Sequence, residues 1–308
     1  MRPIAKKTKK RSKKSRHSKS LPKKRFQKKD IFVYCLYLIG ALIALYPVFS
    51  NLYYKNIQND ITKAYYSQEG TKDPKEIEKE KEVTKLYNEE LSDTFAQSFD
   101  MPDFDTNPLS LLEGVDSKQL GNTLGVVSIP KIQVKLPIYH GTNEAQLKNG
   151  AGLIKGTSLP GGGESTHSIV TAHRGLPSAK LFTDLPKLEI GDYFFIETLG
   201  EKLAYKVNDI TVIKPEEIEK LKIVPGKDYV TLLTCTPYMI NTHRLLVRGE
   251  ATEYRVEDEQ KAIKQGNKDH YKKLLIGVLI VILVIGIIIW LKKRKSKRNK
   301  KTKKRRKK

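Results

Sequence analysis

Cysteine is scarce in this chain: two residues in 308, beside one tryptophan and three methionines. Cys35 lies inside a long apolar run and Cys235 in the mixed-polarity middle, so the two cannot pair within one chain. A disulfide framework is therefore excluded. No Cys/His cluster has zinc spacing, no glycine-rich phosphate loop is present, and no internal repeat is visible. No metal and no cofactor is expected. Acidic residues are absent from 292–308, and residues 1–30 contain a single one, Asp30.

What is abundant is basic charge, and it is confined to the ends. Residues 1–30 carry fifteen Lys/Arg and residues 292–308 carry fourteen, whereas 31–291 has a net charge of −4. The overall +24 thus describes two tails and not a nucleic-acid-binding face. Each tail abuts an apolar run. Ile31 to Tyr54 has no charged residue, and Leu274 to Leu291 is eighteen uncharged residues, mostly Ile, Leu and Val. Both are long enough to cross about 30 Å of hydrocarbon. The positive-inside rule places both tails in the cytoplasm and residues 55–273 outside, with membrane lipid and no nucleic acid as partner. The first run lacks a clear cleavage site near Ser50, so a retained anchor is expected.

The chain divides accordingly. A basic cytoplasmic tail (1–30) leads into a transmembrane helix (31–54) and an extracellular helical region (55–97). In that region Ile57, Ile61, Ala64 and Tyr65 recur at helical spacing, and Gly70 interrupts. Asp73-Pro74, with Glu76, reads as the start of a second helix with a capping box, and Val83, Leu86, Tyr87 and Phe95 are expected to form its packing stripe. Residues 98–118 are irregular, with two prolines and several acids. From 119 to 256 short β-like runs dominate, separated by Gly, Pro, Asn and Asp. They include 125–129, 134–139, 167–172, 193–197, 203–213, 229–234 and 245–247, with short helical pieces at 144–148, 180–188 and 215–221. This spacing predicts a mainly β fold, a closed or nearly closed barrel, large enough for one core. A charged tether (257–273), a second transmembrane helix (274–291) and a basic cytoplasmic tail (292–308) complete the chain.

The chemistry concentrates at Thr231-Leu-Leu-Thr-Cys235-Thr-Pro-Tyr-Met-Ile-Asn-Thr-His-Arg244. It reads as strand, turn, strand, with Cys235 at the end of one strand and Arg244 at the start of the next. A guanidinium beside a thiol favours thiolate and can neutralise an oxyanion. A lone cysteine is more often a small buried apolar residue, so the neighbourhood has to decide. Among six histidines, His17 and His270 lie in or beside the tails, His140 and His167 near strand ends, and His243 on the face opposite Arg244. His173 follows an apolar strand and precedes a Gly-Pro turn, a place where scaffolds hold catalytic groups, although a histidine there is more often structural.

Two of these stretches resemble the sortase family. T-L-L-T-C with an arginine nine residues on resembles the sortase active-site segment. C-T-P-Y with N-T-H-R-L-L-V-R-G, and H-R-G-L-P-S-A-K-L-F from His173, resemble class C sortases, the pilin polymerases. Met239 and Ala172 stand where the family usually has glycine. The resemblance spans roughly 120–250 and implies a closed sortase-type β-barrel with short helices. It aligns His173, Cys235 and Arg244 with the catalytic His, Cys and Arg. Thr234 is a candidate for orienting substrate, or an ordinary strand residue. In class C enzymes a lid anchored by an Asp-Pro-aromatic motif covers the cleft. Here the nearest matches are Asn107-Pro108-Leu109 and Pro102-Asp103-Phe104, neither of which fits the pattern, so 98–118 is either a lid or a linker.

The resemblance implies transpeptidation. Cys235 attacks the Thr–Gly carbonyl of an LPxTG-type sorting signal, and a pilin lysine resolves the thioester as an isopeptide. The expected partners are pilin or surface proteins with such signals. The alternatives are a sortase that anchors surface proteins to the cell wall, a membrane-anchored cysteine protease, and a non-enzymatic two-span envelope scaffold. The scaffold predicts an unreactive Cys235.

Overall fold

The computed structural model describes residues 28–97 and 123–268, with isolated positions between 271 and 290. The candidate lid residues Asp103, Phe104, Asn107, Pro108 and Leu109 lie outside the described residues, and the expected second span is described only at isolated positions.

Helix α1 (Lys28–Glu69) is continuous from the apolar run into the polar stretch. Among the described residues one helix, Cys35–Glu69, is long and apolar enough to cross a membrane by length and composition. From Pro47 onward α1 belongs to the same compact unit as the rest of the fold. There it packs through Tyr54, Gln58, Thr62 and Tyr65, which share one helical face. The stripe expected at Ile57, Ile61, Ala64 and Tyr65 is therefore rotated: Ala64 is exposed and two polar residues take its place.

Helix α2 (Pro74–Gln97) starts where Asp73-Pro74 indicates, with the Asp73 carboxylate accepting from the Lys75 N–H at 2.9 Å. Its buried face is Glu80, Thr84, Tyr87, Asn88 and Leu91, whereas Leu86 is exposed and Val83 only half-buried. The expected apolar stripe is thus displaced, because polar contacts do much of the docking. Asn88 is buried and clamps the Leu159 backbone, accepting from its N–H at 2.8 Å and donating to its carbonyl at 3.1 Å. Lys72 joins the two helices through Glu69 at 2.6 Å and Glu80 at 2.8 Å.

Eight strands form a closed barrel: β1 (Thr123–Ile129), β2 (Val134–His140), β3 (Ala151–Leu153), β4 (Thr166–Thr171), β5 (Tyr193–Thr198), β6 (Glu201–Ile213), β7 (Asp228–Thr236) and β8 (His243–Thr252). Their order around the barrel is β1-β2-β3-β4-β7-β8-β6-β5, and β5 closes on β1. The β2/β3 and β4/β7 pairs are parallel, and the other pairs are antiparallel. The short β3 was not evident from sequence, since three residues carry no period. A short helix α3 (Glu144–Asn149) links β2 to β3, and a 3-10 helix, Leu181–Lys187, follows β4.

Alternation along the strands sorts two apolar clusters. Val170, Val230, Leu232, Leu245 and Val247 point into the main core. Ile169, Leu233 and Leu246, with Ile213, form a smaller cluster on the outer face, partly covered by Ile154 and Leu221. The stretch expected to be a tether is helical over 256–268 and docks on the barrel. Glu259 meets Lys202 at 3.0 Å, and a Cβ at Gly266 would lie 2.1 Å from the Pro130 carbonyl oxygen, so only glycine fits that approach.

On the outer face, buried His167 lies between the Lys222 carbonyl (Nδ1, 2.9 Å) and the Thr231 hydroxyl (Nε2, 2.7 Å). Donation to the carbonyl fixes Nδ1 as the protonated nitrogen of the neutral ring. Burial lowers its pKa to about 4, assisted by Arg248 and opposed by the Lys222 carbonyl. The unfolded chain, near 6.5, binds the proton more readily. This contribution to stability is present above about pH 6.5 and disappears as pH falls toward 4, a loss on the order of 3 kcal/mol. The urea midpoint of the full chain in detergent should fall across that window, and His167→Gln should flatten the slope.

Candidate functional site

The site is built where β4, β7 and β8 lie side by side. Cys235 and Arg244 are direct partners in the β7/β8 ladder. Cys235 is two residues beyond Leu233, and Arg244 two before Leu246. Alternation therefore puts both side chains on the outer face, at the edge of the smaller apolar cluster. His243 falls on the opposite face, as expected, with its Nδ1 at 2.9 Å from the Thr242 hydroxyl.

His173 arrives from the other side. β4 runs parallel to β7 with Thr171 opposite Leu233, and the Ala172 N–H continues the ladder to the Leu233 carbonyl at 3.3 Å. His173 therefore leaves the sheet beside Cys235. Its carbonyl accepts from the Phe182 N–H at 3.1 Å, which ties the His173 turn to the following 3-10 helix. The structure thus brings His173, Cys235 and Arg244 to one place.

Thr234 is buried, and its hydroxyl donates to the Ala172 carbonyl at 2.8 Å. Its reach is to the backbone that carries His173. Arg174, which the sequence reading did not single out, donates from Nη1 to the Thr236 hydroxyl at 2.8 Å and lies over the Tyr238 ring at 5.9 Å. Arg244 donates from Nη1 to the Asn241 and His243 carbonyls, each at 3.1 Å. That fixes one arm of its fork against the β7–β8 turn. Cys235 is a half-buried free thiol.

Met239 has φ +62° and is 65% exposed at the turn tip. A left-handed backbone is where glycine has no steric cost, which accounts for a position usually filled by glycine. Glu144 was also missed. It opens α3, and its Oε2 lies 3.7 Å from His173 Nε2. No local sequence signal marks it, because 29 residues separate the two.

A groove of about 410 Å³ lies elsewhere, between α2 and the 161–164 loop, and is lined in part by Lys81, Lys85, Asn88, Glu164 and Glu201. It also touches Thr166, which pairs with Asp228 at the start of β7. Cys235 lies seven residue steps along β7 from Asp228, roughly 23 Å at about 3.3 Å per residue. The groove is at the opposite end of the barrel from the thiol.

A half-buried thiol paired across a ladder with arginine, and flanked by histidine, is the layout of a cysteine-nucleophile site on a β-barrel. Residues 127–252 match the Sortase domain family. Sortase C1 of Streptococcus agalactiae, solved with MTSET, is 44% identical over 63% of this chain and 96% of its own, with a TM-score of 0.56. Clostridium perfringens sortase C, solved with a C-terminal cell wall sorting motif, is 45% identical over 63% and 99%, with a TM-score of 0.54. Sortase A of Streptococcus agalactiae is 30% identical over 142 residues, 44% of this chain, and the match spans 57% of that relative's length. The chain belongs to the sortase family, and its solved neighbours are sortase C enzymes.

Thr234→Val tests the backbone clamp. Valine keeps the volume but leaves the Ala172 carbonyl without its donor, a loss of about 1–3 kcal/mol. The urea midpoint should fall accordingly, whereas Thr234→Ser should recover most of it.

Proposed function

We propose that this chain is a membrane-anchored cysteine transpeptidase that joins pilin subunits. The observation that carries the reading is the cross-strand Cys235–Arg244 pair with His173 leaving the adjacent parallel strand. Likeness to sortase C enzymes, one of them solved with a sorting motif, supports the substrate class.

In this reading an LPxTG-type signal lies along the outer face, with its apolar residues over the Ile154, Ile169, Ile213 and Leu233 cluster. The Cys235 sulfur attacks the Thr carbonyl carbon. Arg244, with Nη1 already anchored, offers its remaining N–H donors to the oxyanion. His173 protonates the departing glycine amine, leaving a thioester. A lysine amine from the next subunit then attacks that thioester carbonyl, with His173 accepting a proton. The C–S bond breaks, and an isopeptide bond replaces it.

The test is mass spectrometry of the full chain in detergent with a candidate pilin. A Cys235-linked thioester followed by a Lys-linked product supports the reading. Cys235→Ala should abolish both species, and His173→Ala should nearly do so. Arg244→Lys should lose on the order of a hundredfold or more in turnover, because an ammonium cannot reproduce the planar fork. Near-normal turnover of the Lys variant would remove Arg244 from its role.

The same reading places two spans, near 31–54 and 274–291, around an extracellular catalytic unit, with both basic tails cytoplasmic. Protease added to intact protoplasts should cleave within 55–273 and spare both tails. Protection of the middle would overturn the topology.

A further inference from the structure

The resolving nucleophile of a transpeptidase is an amine, and near neutral pH a lysine reaches the enzyme as an ammonium ion. It must shed protons beside the thioester, so the site needs a place for a cation next to its base. Glu144 occupies such a place. Its Oε2 is 3.7 Å from His173 Nε2, too far for a hydrogen bond but within ion-pair range. His173 Nε2 is itself buried and makes no hydrogen bond among the described residues. The Glu144 side chain is 66% exposed, so an incoming group can reach it from solvent.

The local fold fixes this placement. Asn143 caps α3 and forms a full capping box with Gln146, whose side chain also donates to the His140 carbonyl at 2.9 Å. Gly152 on β3 lets the turn lie close: a Cβ there would meet the Gly141 carbonyl oxygen at 2.3 Å and Leu147 at 3.2 Å. β3 pairs in turn with β4, the strand that delivers His173. The other Glu144 oxygen lies 3.4 Å from the Lys148 ammonium, an exposed pair one helical turn apart. Such pairs are weak and exchange readily. Glu144 therefore already receives a lysine ammonium at a point adjacent to the base.

The geometry points to Glu144 as the docking carboxylate for the ammonium of the acceptor lysine. This rests on the transpeptidase reading and names the group that selects its second substrate. The ammonium displaces Lys148 from Glu144 and passes one proton to His173, which releases it to solvent. The amine nitrogen attacks the thioester carbonyl. As the C–S bond breaks, the nitrogen's second proton ends on the Cys235 sulfur, and an amide and a free thiol remain.

The experiment uses the full chain in detergent with a soluble LPxTG peptide as donor. Two nucleophiles are compared at pH 7.5: an N-acetylated peptide with one lysine, and hydroxylamine, which is neutral there. Glu144→Gln should raise the ratio of the lysine KM to the hydroxylamine KM about fivefold, the factor that one exposed charge pair is worth. Lys148→Ala should lower that ratio. An unchanged ratio in Glu144→Gln overturns the proposal. So does an equal rise for both nucleophiles, which would assign Glu144 to His173 or to the fold. Failure of the underlying reading looks different: the parent chain then shows no burst of leaving peptide and no Cys235 adduct with either nucleophile.

Discussion

Everything at the site depends on the register of three adjacent strands. Parallel pairing of β4 with β7 puts the chain after Thr171 beside Cys235, and antiparallel pairing of β7 with β8 puts Arg244 opposite it. Because side chains alternate, a slip of one residue in either ladder would carry Cys235 or Arg244 to the other face. Burial on both faces prevents such a slip. Val230 and Leu232 fill the barrel, while Leu233 belongs to the outer cluster with Ile169 and Leu246. The same packing that stabilises the barrel thus sets the chemistry.

The polar contacts around the ladder act on backbone more than on reacting atoms. Thr234 ties β7 to the Ala172 carbonyl, Arg174 ties the next turn to Thr236, and the Asn241 and His243 carbonyls hold one arm of Arg244. His167 does comparable work further along the same two strands, bridging Thr231, four residues before Cys235 on β7, to the Lys222 carbonyl of the long β6–β7 connection. These groups explain how residues from three separate stretches keep one geometry on a face open to solvent. The groove under α2 lies at the other end of the barrel, with strands β4 and β7 running between the two.

Much of this was legible in the sequence. Seven of the eight strands, α3 and the start of α2 at Asp73-Pro74 follow from alternation and turn residues, whereas the grouping of His173 with Cys235 and Arg244 came from the resemblance to sortases. Those signals are carried by neighbours along the chain, so they survive without tertiary information. The helix faces did not follow as well. Packing uses Tyr54, Gln58, Thr62 and Tyr65 on α1, and Glu80, Thr84, Tyr87, Asn88 and Leu91 on α2, because buried side chains such as Asn88 find backbone partners that hydrophobicity does not reveal. The helix over 256–268 looked like a tether because its charges pair with the barrel, as Glu259 does with Lys202. The sequence alone determined the anchor-like apolar runs and the β class, and the family resemblance singled out Cys235, His173 and Arg244 as candidates. Only the tertiary structure decided which face they share and that Glu144 stands beside His173, because barrel closure makes neighbours of residues that no local period connects.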